Sequence, residues 1–177
     1  MKTIITVMML LYTTTLSQTI IIGKKGLFID DFRFDSLSLI KDYINVLGKP
    51  SRVFNLASNI YVFDSLGIYI YEDYVNKKII EIQFDFTRHI DFEFCPRKPF
   101  KGSIYLTDYH FYLTYRTSYS DIRRVCTINM NKTFKYDFSH SSFLYNKFSL
   151  LVQHGGKQDS NIFGLTIDFD TFNLFDD

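Results

Sequence analysis

The side chains able to do chemistry in this chain are few and scattered. Histidine occurs four times, as His89, His110, His140 and His154. None of them has the i, i+4 spacing or the His-Glu-x-x-His pattern that puts two zinc ligands on one helix face. His154 precedes Gly155-Gly156, so the sequence predicts an exposed turn residue. No Gly-x-Ser-x-Gly elbow, phosphate-cradling glycine loop or Cys-x-x-Cys pair is present. Acids are more numerous, and "IIEIQFDF" (79–86) and "LTIDFD" (165–170) hold them in rows. Two carboxylates across a sugar bond are the machinery of glycoside hydrolysis. Outward acids on strands more commonly keep a sheet soluble and blunt its edges. The residues therefore predict no enzyme, no metal and no cofactor.

The elements carrying these residues come from a chain of 177 residues, long enough for one domain with a real core. Hydrophobic residues make up 46% and aromatics 18%, with 19 Phe and 13 Tyr, a composition suited to half-buried sheet. Residues 1–17 read as an export signal. Lys2 precedes the apolar run "IITVMMLLY" (4–12), and Thr15 and Ser17 suit cleavage before Gln18. That run is too short to span a bilayer. The remaining segment, 18–177, reads as a single domain. Its basic and acidic residues balance once Lys2 is removed, so no broad field steers it to phosphate backbones, and nucleic acid is not an expected partner. In an oxidising compartment Cys95 and Cys126 are candidates for a disulfide, with two buried thiols as the alternative.

Periodicity supplies the elements. Asp35 predicts a helix N-cap; Leu37, Ile40, Ile44 and Leu47 form a stripe; Gly48 and Pro50 end the helix. "NIYVF" (59–63) and "GIYIYED" (67–73) read as strands reversing at Asp64–Gly67, followed by a strand in which Ile80, Ile82, Phe84 and Phe86 face inward. Residues 87–100 read as a connector. A second, weaker helix is expected at 118–128. "KGLFIDD" (25–31) and "KGSIYLTD" (101–108) say nearly the same thing, and a strand-helix-hairpin-strand order recurs in 19–86 and 101–170. The expected class is α+β: one antiparallel layer with the main helix on one face, built as a β-α-β-β-β half-domain and its repeat.

In "IYVFDSLGIYIYED" (60–73) alternation places Ile60, Val62, Ile68 and Ile70 on one face and Tyr61, Phe63, Tyr69 and Tyr71 on the other. Such a ring-bearing face, with Asp64, Glu72 and Asp73 supplying charge, predicts a protein-binding surface. The same stretch, following "LGKPSR" (47–52), resembles an uncharacterised family of small bacterial domains. Leu47, Gly48, Pro50, Asp64, Gly67, Ile68, Phe100 and Gly102 carry the likeness. Some members of that family resemble immunity proteins that neutralise toxins exchanged between competing bacteria. The resemblance implies a periplasmic or secreted protein whose partner is another protein, such as a cognate toxin.

Overall fold

A computed structural model describes residues 19–35, 37–87, 93–128, 134–136, 140–145, 148–155 and 161–169, without the side chains of 126–128, 134–136, 140, 141, 144 and 145. The expected signal segment 1–17 and His89 lie outside the described residues, as does the side chain of Cys126 and with it the Cys95–Cys126 pairing. Cys95 itself is buried.

Strands dominate, and they form two sheets. The first half contributes β1 (Thr19–Gly23), β2 (Gly26–Ile29), β3 (Phe32–Phe34), α1 (Ile40–Leu47), β4 (Arg52–Asn55), β5 (Ser58–Phe63), β6 (Ile68–Asp73) and β7 (Ile79–Asp85). The second contributes β8 (Ser103–Leu106), a 3₁₀ turn (Thr107–Tyr109), β9 (Phe111–Leu113), α2 (Tyr119–Ile128), β10 (Phe134–Tyr136), β11 (His140–Tyr145), β12 (Phe148–His154) and β13 (Ile162–Asp168). One sheet has the order β3-β2-β1-β8-β9 and the other β10-β11-β12-β13-β7-β6-β5-β4. The first half runs through three strands, a helix and a four-strand meander, the second through two strands, a helix and a four-strand meander, and the last strands of the two meanders pair antiparallel at the middle of the larger sheet.

The expected α+β class with one helix-covered layer is corrected by this arrangement. Ile20, Ile22, Leu27, Ile29, Ile104 and Leu106 of the small sheet share one core with Ile70, Ile82, Phe84, Leu150, Val152, Leu165 and Ile167 of the large one. Geometry explains why a second sheet is needed. Eight strands span about 34 Å at the usual strand spacing, whereas an eight-residue helix is about 12 Å long. A helix of that length leaves most of the apolar face wet.

The two similar segments meet a common neighbour. "GLFI" is β2 and "SIYL" is β8, and both pair with β1: Ile21 lies opposite Phe28 on one side and Tyr105 on the other. The β1–β2 pair is antiparallel and the β1–β8 pair parallel. Asp30 and Asp108 have parallel jobs. Asp30 Oδ1 accepts the Thr19 N–H at 3.0 Å, and Asp108 Oδ2 accepts the Lys24 N–H at 3.0 Å, so each acid closes the turn region beside β1.

The helix α1 is shorter than its sequence pattern. It begins at Ile40, where Asp42 Oδ2 accepts the Leu39 N–H at 2.8 Å. Asp35 instead closes a local turn by accepting the Leu37 N–H, and Leu37 is 79% exposed. Tyr43 takes the central buried position, stacked on Phe34 with ring centroids 4.2 Å apart. The second helix is the longer one. Ser118 Oγ accepts the Asp121 N–H at 3.2 Å while Asp121 Oδ2 accepts the Ser118 N–H at 3.0 Å, a reciprocal cap. Ile122 and Tyr119 are buried.

Candidate interaction surface

The strands expected to present rings exist where the sequence puts them, but their faces differ. Phe63 pairs with Ile68, Val62 with Tyr69, Tyr61 with Ile70 and Ile60 with Tyr71. Directly opposed residues share a face. The four-residue turn 64–67 therefore joins an odd position on one strand to an even one on the other. Tyr61, Phe63, Ile68 and Ile70 point into the main core, while Ile60, Val62, Tyr69 and Tyr71 form a second cluster on the outer face with Phe54 and Phe94. The expected all-aromatic face is split in two.

None of the seven candidate residues forms part of one open wall. Phe63 and Tyr69 are 2% and 4% exposed, and Tyr61 and Tyr71 are half-buried. Glu72 is buried, where its Oε2 accepts Asn59 Nδ2 at 2.8 Å and the Tyr61 hydroxyl at 3.0 Å. Asp73 Oδ1 accepts the Val75 and Asn76 N–H groups at 2.8 Å each and so fixes the β6–β7 turn. Burial raises the Tyr69 and Tyr71 hydroxyls; next come nearby carboxylates, Asp85 for Tyr69 and Glu81 for Tyr71.

Asp64 belongs to a clasp. Its carboxylate takes a fork of bonds from Arg52, Nε at 2.9 Å and Nη2 at 2.6 Å, and accepts the Arg97 N–H at 2.8 Å. Burial alone would raise the Asp64 carboxyl; the bonds from Arg52 and Arg97 outweigh it and hold the carboxyl below its ordinary value. Arg52 also donates to the carbonyls of Glu93 and Cys95. The connector is thereby tied along the outer face, with Phe94 6.3 Å from Tyr69 and 6.5 Å from Tyr71. It then crosses the β5–β6 turn. Gly67 has φ +71°, and a Cβ there would lie 2.0 Å from the Phe100 nitrogen. Beyond it Phe100 enters the core edge-on to Phe84 and Phe86, at 5.2 and 5.8 Å. A Cβ at Gly102 would lie 2.5 Å from the same ring. Four of the residues carrying the family likeness, Asp64, Gly67, Phe100 and Gly102, thus meet in one fastening, a structural role.

A ring-bearing face does exist, on the other sheet. Across the outer side of the five-stranded sheet, Tyr112, Tyr105, Ile21, Phe28 and Arg33 lie in one continuous register from β9 to β3. Their neighbours Ile20, Ile22, Leu27, Ile29, Ile104 and Leu106 point into the core. Ile21, Phe28 and Tyr105 are half-buried, Arg33 is exposed and Tyr112 is 59% exposed. Tyr105 and Tyr112 stack at 4.6 Å, and the Tyr105 hydroxyl lies 3.1 Å from His110 Nδ1. At ordinary strand spacing the row is about 19 Å long. The sequence signal was available: "GLFI" and "SIYL" each carry an aromatic between aliphatics.

The histidines and acids also take definite places. His154, expected on an exposed turn, is 1% exposed and stacks on Tyr119 at 4.1 Å, because β12 runs on through it before the glycines. The two acid-bearing strands are neighbours, and Glu81 lies directly opposite Asp168. Among the described residues no group of three His, Cys, Asp or Glu is placed to hold a metal.

Residues 19–121 match the model of a family described as a domain of unknown function, DUF7738. The chain belongs to this family. The matched segment holds the whole five-stranded sheet, the β4–β7 meander and the clasp. No curated protein matches the chain. Among solved structures, it is similar to an extracellular protein containing a SCP domain from Bacillus anthracis str. Ames, at 10% identity and TM-score 0.46, covering 81% of this chain and 49% of that one. It is also similar to a cysteine-rich secretory protein from Staphylococcus aureus subsp. aureus Mu50, at 12% identity and TM-score 0.38, covering 75% and 44%. The chain spans about half the length of these structures. Among the described residues no helix is long and apolar enough to cross a membrane.

Proposed function

We propose that this DUF7738 protein is an exported bacterial protein that works by gripping another protein, acting in the periplasm or outside the cell as an immunity or inhibitor protein that blocks a toxin sterically. The observation that carries the reading is the row Tyr112–Tyr105–Ile21–Phe28–Arg33 on the outer side of the five-stranded sheet. Tyr and Arg are the residue types that dominate binding hot spots, because they combine large contact area with a polar end. The row is also pre-organised. Its backbone is fixed by the ladder and its alternate residues by the core, so little conformational freedom is left to lose on association. A standard interface needs about 800 Å² from each partner, and the row with its flanking residues forms the centre of such a patch. The export signal expected at residues 1–17 and the likeness to immunity-type domains support the compartment and the kind of partner.

The test is capture of partners from the native envelope by the exported protein, followed by identification and by direct binding measurements with purified partner. Tyr112→Ala should weaken that binding by about 2 kcal/mol, roughly 30-fold in Kd, while the loss of its stacking on Tyr105 lowers the thermal midpoint by only a few degrees. The captured protein should be a toxin, its activity should fall on binding, and the exported chain should begin at Gln18. Wild-type affinity in Tyr112→Ala and in Phe28→Ser would overturn this reading. Capture of envelope components with no toxin among them would favour a structural or accessory envelope protein.

A further inference from the structure

The five-stranded sheet ends on an open edge. β3 is its last strand, with Ile29 of β2 opposite Phe32, Phe28 opposite Arg33 and Leu27 opposite Phe34. The Asp30 N–H bonds the Thr19 carbonyl at 2.8 Å, toward β1. Ladder bonds alternate sides along an antiparallel strand. Ile29 therefore turns its backbone groups to Phe32, and Arg33 turns its N–H and carbonyl outward. At the opposite edge of the sheet the Tyr112 carbonyl accepts from Thr117 Oγ1 at 3.4 Å. β3 has no proline, lysine or bulge of the kind that keeps an edge from pairing.

The side chains on that edge are complementary to themselves. Asp31-Phe32-Arg33 laid antiparallel on a second Asp31-Phe32-Arg33 sets Phe32 on Phe32 and each acid against an arginine. Phe32 shares the core side of the sheet with Ile29 but lies beyond the core, 60% exposed. In that register the two Phe32 residues form the kind of pair that exchanges no backbone bonds and brings side chains closest, while the outward groups of Arg33 meet the Asp31 backbone. Asp31 and Arg33 are both exposed. Among the described residues the ion pairs are Arg52–Asp64 and Arg124–Asp121, which include neither. The neighbouring acids are occupied, Asp30 by the Thr19 N–H and Asp35 by the Leu37 N–H. The Arg33 side chain lies back over Gly26, its Nε 3.4 Å from where a Cβ would stand, and can swing to the edge without breaking an ion pair. Other registers are poorer. Arg33 opposite Arg33 opposes like charges. Centring on Phe34 buries nothing new, because Phe34 is already 2% exposed and stacked on Tyr43.

We propose that β3 is a self-association edge: a second copy of this chain pairs with it antiparallel about a two-fold axis at Phe32, joining the two five-stranded sheets. The Phe32 rings meet across the axis, and two Asp31–Arg33 pairs flank them. The occupant is a second copy because the order of charges fits its own reverse, which an isologous contact requires. The axis stands perpendicular to the sheet, so both outer faces look the same way. On the binding reading this sets two Tyr112-to-Arg33 rows on one wall and makes the grip bivalent; the pairing itself does not depend on that reading. The edge is short, so the contact is smaller than the roughly 800 Å² per partner of a standard interface. The dimer should dissociate on the order of 100 µM.

The experiment is sedimentation equilibrium of the exported protein from about 10 µM to about 1 mM. The mass should rise from that of one chain toward that of two. Asp31→Arg and Arg33→Asp each oppose like charges across the axis and should weaken association at least about 10-fold. Mixed in equal amounts, the two variants should pair at least as well as the wild type, since every acid then faces an arginine. The double change in one chain leaves the net charge as it was and should restore association to within about 3-fold of the wild type. Both positions are exposed, and circular dichroism checks that each variant is folded. A wild-type chain that stays single at about 1 mM contradicts the proposal and needs no variant. So do single variants that associate like the wild type, or a mixture and a double variant no better than the single ones. A chain that stays single but loses a captured envelope protein on Arg33→Asp assigns the edge to that partner and also overturns the dimer. Failure to capture any partner leaves the dimer result unaffected.

Discussion

Replacing Asp64 by Ala should release the connector and cost about 3 kcal/mol. The figure follows from the groups that lose a partner. Asp64 accepts two bonds from Arg52, at 2.9 and 2.6 Å, and one from the Arg97 N–H at 2.8 Å. Hydrogen bonds to a charged group contribute about 1.5–3 kcal/mol each, so three would reach about 5–9 kcal/mol. Two facts reduce that ceiling. The Arg52 and Asp64 side chains are 23% and 16% exposed, so water takes up part of the loss. Arg52 also keeps the carbonyls of Glu93 and Cys95. Between a surface pair, worth about 0–1 kcal/mol, and a broken buried pair, at about 3–5 kcal/mol, a value near 3 is expected. For a domain of this size that lowers the thermal midpoint by about 6–12 °C. Urea unfolding measures the energy, and trypsin cleavage after Arg97 reports the local release. The double change Arg52→Met with Asp64→Ala should cost less than the sum of the two, since it removes the stranded guanidinium as well. Asp64 titrates below its ordinary value, so its contribution is complete above the usual carboxylate range and disappears as pH falls through its folded-state value. The destabilisation should therefore shrink in acid. A cost under 1 kcal/mol, or a cost independent of pH, would refute the clasp.

Two further changes probe the core and the crossing. Tyr43 is fully buried and its hydroxyl has no hydrogen-bond partner among the described residues. Tyr43→Phe should therefore stabilise the protein by about 1 kcal/mol in urea unfolding. Gly67→Ala adds a Cβ that cannot clear the Phe100 nitrogen, at a φ of +71°. It should destabilise by about 3 kcal/mol or more, with Phe100 leaving the core and raising protease sensitivity at 97–100.

Local periodicity located most of the elements. The meander strands 58–63, 68–73 and 79–85 lie within a residue or two of their predicted limits, and both helices are present. The α1 limits moved because Leu37 continues the three- and four-residue stripe by spacing alone, while Asp42 caps the backbone at Leu39. Number and pairing of sheets were not legible. The parallel β1–β8 pairing joins residues 84 positions apart, from Thr19–Ser103 onward, and nothing within either segment specifies the other. His154 was misplaced for a related reason. A Gly-Gly pair marks where a strand stops, and it does not say that the residue before it has already left the core.

The ring-bearing face of the small sheet was missed through a question of parity. Alternation within β5 and within β6 was read correctly, but which side of one strand matches which side of the other depends on the turn between them. An even four-residue turn, pairing Phe63 with Ile68, puts odd positions of β5 beside even positions of β6. Rings and aliphatics therefore mix on both faces, and both faces are covered, one by the second sheet and one by Phe94. The small sheet shows the converse. There the β1–β2 register opposes Ile21 to Phe28 and the β1–β8 register opposes Ile21 to Tyr105, so the aromatics of two different segments fall into line. Two modest signals, one ring in "GLFI" and one in "SIYL", become a single surface because both segments pair with the same strand. A search for binding faces in chains of this kind should therefore ask which segments share a neighbour before asking which segment holds the most rings.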